Sequence, residues 1–95
     1  MSKADEMFER LGYTITEEVI SSKKYNDGIQ FMKQERIYLK KYIEFYYYHK
    51  QICIYAEQDI NGTIKRWESV IIDAKEIEAI NLKCRELGWI GGEDE

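Results

Sequence analysis

Proline is absent from this sequence, histidine occurs once and cysteine twice. Cys53 and Cys84 are too few and too unpatterned for a disulfide framework, and a zinc site would need four suitably spaced Cys or His ligands. Both read as reduced thiols, and no metal or cofactor site is expected. His49 has no second histidine with which to form a metal pair. No run of about 18 apolar residues occurs, so no membrane-spanning helix is encoded. The opening Met1-Ser2-Lys3-Ala4-Asp5-Glu6 is no basic leader before an apolar run, so a cytoplasmic location is expected. Asn61-Gly62-Thr63 has the form of a glycosylation sequon, but an Asn-Gly pair between two apolar-periodic runs is first a hairpin turn.

What is present is that of a small folded domain. The hydrophobic fraction is 44% and the charged fraction 34% of 95 residues. A chain this short buries about 60–65% of the surface it exposes unfolded, which supports one modest core and one domain. That domain is expected over residues 1–90, with 91–95 a frayed acidic tail. Tyrosine, present eight times, is the compositional oddity. The net charge of −4 is unevenly spread: residues 23–50 carry seven basic and three acidic side chains, residues 51–95 five and ten. The middle of the chain is therefore the part able to meet an anionic partner.

Periodicity sorts the chain into two helices flanking a sheet. Ser2 can cap a helix over about 3–11, in which Ala4, Met7, Phe8 and Leu11 share one face and Gly12 supplies the stop. Asp73 followed by Glu76 is a capping box, opening a helix over about 74–87 with Ala74, Ile77, Ile80, Cys84 and Leu87 on one face and Gly88 at its end. Between them, alternating β-branched and aromatic residues are punctuated by Asn26-Asp27-Gly28 and Asn61-Gly62. This predicts antiparallel strands near 17–25, 28–34, 37–48, 51–59 and 64–72, with a bulge or loop at Gln34-Glu35-Arg36.

The stretch "YIEFYYYHKQICIY", residues 42–55, can be divided by register, because opposed residues of an antiparallel pair share a face. A turn at His49-Lys50, or a four-residue loop with the same pairing, sets Tyr47 against Ile52, Phe45 against Ile54 and Ile43 against Ala56. A turn at Asn61-Gly62 then sets Ala56 against Trp67, Ile54 against Ser69 and Ile52 against Ile71, extending the same apolar face. The opposite face collects Tyr42, Glu44, Tyr46 and Tyr48, then Gln51, Cys53, Tyr55 and Glu57, then Arg66, Glu68 and Val70. Glu57 opposite Arg66 is a cross-strand ion pair that supports the register. The fold expected is α+β: a short N-terminal helix, an antiparallel four- or five-stranded meander and a C-terminal helix, with both helices on the apolar face.

The two helix ends are alike, Phe8-Glu9-Arg10-Leu11-Gly12-Tyr13 and Cys84-Arg85-Glu86-Leu87-Gly88-Trp89. The opening ADEMFERLGY and the closing EIEAINLKCRELGWI resemble a group of small uncharacterised proteins from phages and prophages of low-GC Gram-positive bacteria. The resemblance covers roughly a third of the chain. It implies a cytoplasmic accessory protein of mobile-element origin, with no catalytic residues to carry over.

Three functions compete for the tyrosine face. Catalysis is disfavoured: His49 sits at a turn without a nucleophile beside it, Cys53 has no nearby Lys or His to activate it, and a flat face has no cleft to desolvate a carboxylate pair. Single-stranded nucleic acid is the alternative, since aromatics on adjacent strands stack bases and Lys23, Lys24, Lys33, Arg36, Lys40, Lys41 and Lys50 lie in the middle region. Against it, the face carries Glu44, Glu57 and Glu68 with only Arg66 opposed. Protein interaction fits best, a homodimer included, through Tyr42, Glu44, Tyr46, Tyr48, Cys53, Tyr55, Arg66 and Glu68. A structural protein without a specific site, its tyrosines covered by residues 13–25, is the remaining reading.

Overall fold

In a computed structural model, residues 2–17 and 28–91 are described. The order of elements is α1 (Lys3–Arg10), β1 (Thr14–Glu17), β2 (Gly28–Arg36), β3 (Leu39–Tyr46), β4 (Gln51–Ile60), β5 (Thr63–Trp67) and α2 (Ala74–Glu86). This is the α+β class expected, with the two helices and the meander in the expected order. The chain divides into a helical unit, Met1–Gly12 with Ile71–Glu95, and a sheet unit, Tyr13–Val70. Among the described residues no helix is long and apolar enough to cross a membrane.

In the helical unit both caps form where the sequence places them. The Ser2 side chain accepts the Asp5 N–H at 3.0 Å, and Gly12 takes the left-handed conformation with φ 99°. Asp73 and Glu76 exchange side-chain-to-backbone hydrogen bonds of 2.8 and 2.9 Å, satisfying two donors that the first turn of α2 leaves open. At its far end the Trp89 N–H reaches the Cys84 carbonyl at 2.9 Å and the Gly88 N–H that of Arg85 at 3.0 Å, the pair of bonds that a left-handed glycine after a helix permits. The helices are joined by polar contacts. The Glu86 carboxylate accepts the Ala4 N–H at 2.9 Å, and Lys83 Nζ lies 2.9 Å from Asp5 Oδ1.

Those contacts correct the face expected for α2. Its buried residues are Glu76, Ala79, Lys83 and Cys84, while Ile77 is 56% exposed. An apolar count overlooks Lys83, whose methylene stem is buried because its ammonium finds a carboxylate, and Glu76, whose carboxylate closes the cap.

The sheet unit is a five-stranded antiparallel meander in the order β1-β2-β3-β4-β5. The first strand is Thr14–Glu17; most of the segment expected as strand, 18–25, lies outside the described residues, as do Asn26-Asp27 and the tail from 92 on. A register shift falls between Gln34 and Arg36, where a bulge or loop was expected. The Asn61-Gly62 turn, with φ 52° and 85°, pairs Ala56 with Trp67 and Glu57 with Arg66, as expected of a type I′ hairpin. β5 stops there, however. Ser69 and Ile71 lie beyond its last residue, Trp67, and Ile71 is 88% exposed.

The β3–β4 hairpin differs by two residues from the register expected. Residues 47–50 form a four-residue connection closed by Tyr46 against Gln51, so Ile43 opposes Ile54 and Phe45 opposes Ile52. Lys50 supplies the left-handed residue of the connection, φ 55°. A shift of two preserves which residues share a face, whereas a shift of one would have inverted every side chain. Tyr47 leaves the strand as a consequence and is exposed rather than part of the core. One sheet face carries the buried Ile29, Phe31, Ile43, Phe45 and Ala56, with Phe31 and Phe45 packed edge to face at 5.9 Å.

Candidate interaction face

Alternation along β2 to β5 brings Gln30, Tyr42, Glu44, Tyr46, Cys53, Tyr55, Glu57 and Arg66 to the other face of the sheet. Glu44 is its centre. Register sets Gln30 against Glu44 on β2 and Cys53 against it on β4. The carboxylate accepts the Tyr55 hydroxyl at 2.6 Å, the Tyr46 hydroxyl at 2.5 Å and the Gln30 amide at 2.5 Å. Both oxygens are thus engaged by neutral donors from three strands, and Glu44 is only 4% exposed.

The tyrosines are ordered around this anchor. Tyr42 and Tyr55 stack with ring centroids 4.9 Å apart and planes 19° from parallel. From the other flanking strand, the Arg66 guanidinium lies 3.8 Å from the centre of the Tyr55 ring, a cation–π contact. Tyr55 is therefore held between a tyrosine from β3 and an arginine from β5, and it is 6% exposed. Arg66 directs its Nε toward Glu68, 3.3 Å away, in addition to facing Glu57 in the register.

Burial and the Glu44 charge act in one direction on the ionisable groups nearby. Burial first, then the hydrogen bond to Glu44 and its charge, raise the Tyr46 and Tyr55 hydroxyls well above the ordinary phenol value, with Arg66 opposing weakly. Tyr42 is raised by burial, then by Glu57 and Glu44. The Cys53 thiol is raised chiefly by burial and then by Glu44, which makes it a poorer nucleophile than a free cysteine. The site favours neutral phenols and a neutral thiol around one fixed carboxylate.

Of the eight residues singled out in the sequence, six share this face: Tyr42, Glu44, Tyr46, Cys53, Tyr55 and Arg66. Tyr48 stands apart in the 47–50 connection, exposed, with its ring edge-to-face against His49 at 4.7 Å. Glu68 lies just past the end of β5 and joins through Arg66. Two corrections matter for function. Glu44 and Tyr55, expected outside, are buried, so the accessible surface consists of Tyr42, Tyr46 and their surroundings rather than of all the tyrosines. Gln30 was missed, because its place opposite Glu44 depends on the β2–β3 register, and a bulged hairpin conceals that register in the sequence.

Beside Tyr42 the face dips into a groove of about 230 Å³, walled by Ile37, Tyr38, Tyr42 and Ile64 with Lys40, Glu57 and Asp59 as its charged groups. Its apolar walls come from the β2–β3 connection and from β5, and its carboxylates from β4. No family model, curated protein or solved structure with which the chain was compared gives a match.

Proposed function

We propose that this chain is a non-catalytic protein-interaction module, an accessory protein of phage or prophage origin, which receives a protein partner on the Tyr42–Tyr46 side of its sheet. The observation that carries this reading is the Glu44 anchor. By fixing Tyr46 and Tyr55 from below, it presents aromatic surface whose side-chain entropy is already lost, and that lowers the cost of forming an interface. Tyrosine contributes a large rigid contact area that tolerates water at the rim, and the adjoining groove offers apolar walls for one anchoring side chain.

The same geometry disfavours base stacking by Tyr55, whose ring is flanked by Tyr42 on one side and Arg66 on the other. At the groove Glu57 and Asp59 outnumber Lys40, a balance of charge that disfavours a phosphate backbone. The reading is tested by recovering the protein that co-purifies with the tagged chain from its native host, purifying it and measuring its affinity. The Tyr42→Ser and Tyr38→Ser variants are expected to bind it at least tenfold more weakly, with circular dichroism confirming that each is folded. Unchanged affinity in both variants would remove this face from consideration.

A further inference from the structure

β5 is a terminal strand of the sheet, and all five of its residues are exposed. Ile60 and Thr63 flank the two-residue turn and so form a hydrogen-bonded pair, after which hydrogen-bonded and open pairs alternate. Thr63, Lys65 and Trp67 therefore direct their backbone groups to β4, while Ile64 and Arg66 direct theirs outward, and Glu68 would be next in that series. An exposed edge of this kind is a template for another strand. Trp67, 42% exposed, stands on the face opposite Arg66, with Lys65 Nζ 4.6 Å from its ring centre.

We propose that the protein forms a twofold homodimer by antiparallel pairing of β5 and the residues that follow it with the same segment of a second copy, centred on Trp67. The register is chosen by charge. A twofold axis at Lys65 sets lysine against lysine, and one at Arg66 sets arginine against arginine. An axis at Ile64 runs after one residue into the turn, where Gly62 has φ 85° and cannot continue a strand. An axis at Trp67 sets Arg66 against Glu68 of the second copy, and Glu68 against its Arg66, while Lys65 meets Ser69 and Ile64 meets Val70. This register also satisfies the backbone, since Arg66 and Glu68 are the outward-directed pair and Trp67 lies at an open pair, where opposed side chains approach most closely.

Arg66 and Glu68 already form a contact of 3.3 Å within one chain, so the two copies would bring together a square of alternating charges. An axis normal to the sheet keeps like faces on the same side. The dimer is then one ten-stranded sheet, and the ordered Tyr42–Tyr55–Arg66 series of one copy continues into that of the other. The inference rests on the sheet edge and stands or falls independently of what the tyrosine face receives. A short strand pair is a small interface, so association is expected to depend on concentration and to weaken with added salt.

Sedimentation velocity from micromolar to millimolar protein tests the register through a charge swap. Glu68→Arg and Arg66→Glu should each raise the dimer dissociation constant about tenfold or more, because each turns two attractive cross-strand pairs into repulsive ones. The double variant Arg66→Glu with Glu68→Arg restores opposite charges across the axis and should return the constant to near the wild-type value. Circular dichroism confirms that each variant is folded. A wild type monomeric at millimolar concentration, single variants that dimerise as the wild type does, or a double variant that stays monomeric would each overturn the proposal.

Discussion

At the scale of single residues, Glu44 decides the character of the sheet's polar face. A carboxylate with 4% exposure persists in the fold because three donors from three strands replace the water it gave up. Removing it strands those donors together. Glu44→Ala is expected to cost about 2–3 kcal/mol in urea unfolding, since hydrogen bonds to a charged group are each worth ~1.5–3 kcal/mol and part of that is regained by hydration. A loss below ~0.5 kcal/mol, typical of a surface substitution, would mean that the network is solvated. Cys53 offers a second measurement. With its thiol raised by burial and by Glu44, it should react with iodoacetamide several-fold more slowly than free cysteine at mildly alkaline pH, and Glu44→Gln should recover part of the rate. Sequence alone placed Glu44 among the exposed polar groups. A charged residue reads as solvated unless its partners are known, and here one of them, Gln30, is fixed only by a bulged hairpin.

At the scale of elements, legibility followed the chemistry of the turns and caps. Asn61-Gly62 admits essentially one kind of hairpin, and the β4–β5 register follows from it. His49-Lys50 does not, and the β3–β4 register expected from a tight turn is two residues from the one adopted. The face assignment of Ile43, Phe45, Ile52 and Ile54 survived because the error was even. The α2 stripe failed differently. Its buried side is set by Lys83 meeting Asp5, a contact spanning the length of the chain that local periodicity cannot anticipate. Two substitutions test the local terms in isolation. An added Cβ at Gly62 would meet nothing within 4 Å, so Gly62→Ala should cost about 1 kcal/mol from the left-handed backbone alone. Asp73→Ala should cost ~1 kcal/mol by opening the capping box. Thermal or urea unfolding reads both, and a Gly62→Ala cost of several kcal/mol would show that the turn is coupled to packing.

At the scale of the whole molecule, the tyrosine cluster couples stability to alkaline pH. In the folded protein the hydroxyls of Tyr46 and Tyr55 are raised because ionisation would place a phenolate beside the Glu44 carboxylate in a partly buried site. In the unfolded chain both return to the ordinary value near 10. Below that value both states hold the protons and stability does not respond to them. Above it the unfolded chain releases protons that the folded one retains, so the unfolded state is favoured and stability falls as pH rises. The unfolding free energy should therefore be level with respect to these groups up to about pH 10 and decline beyond it. Tyr42, raised by burial with Glu57 and Glu44, adds to the same decline. Phenolate absorbance followed during alkaline titration should show Tyr46 and Tyr55 ionising only as circular dichroism reports loss of the sheet. Glu44→Gln should weaken the coupling by removing the charge that opposes ionisation. Tyrosines that all titrate together without loss of structure would contradict a closed Glu44 network, and with it the preorganised surface on which the proposed interaction depends.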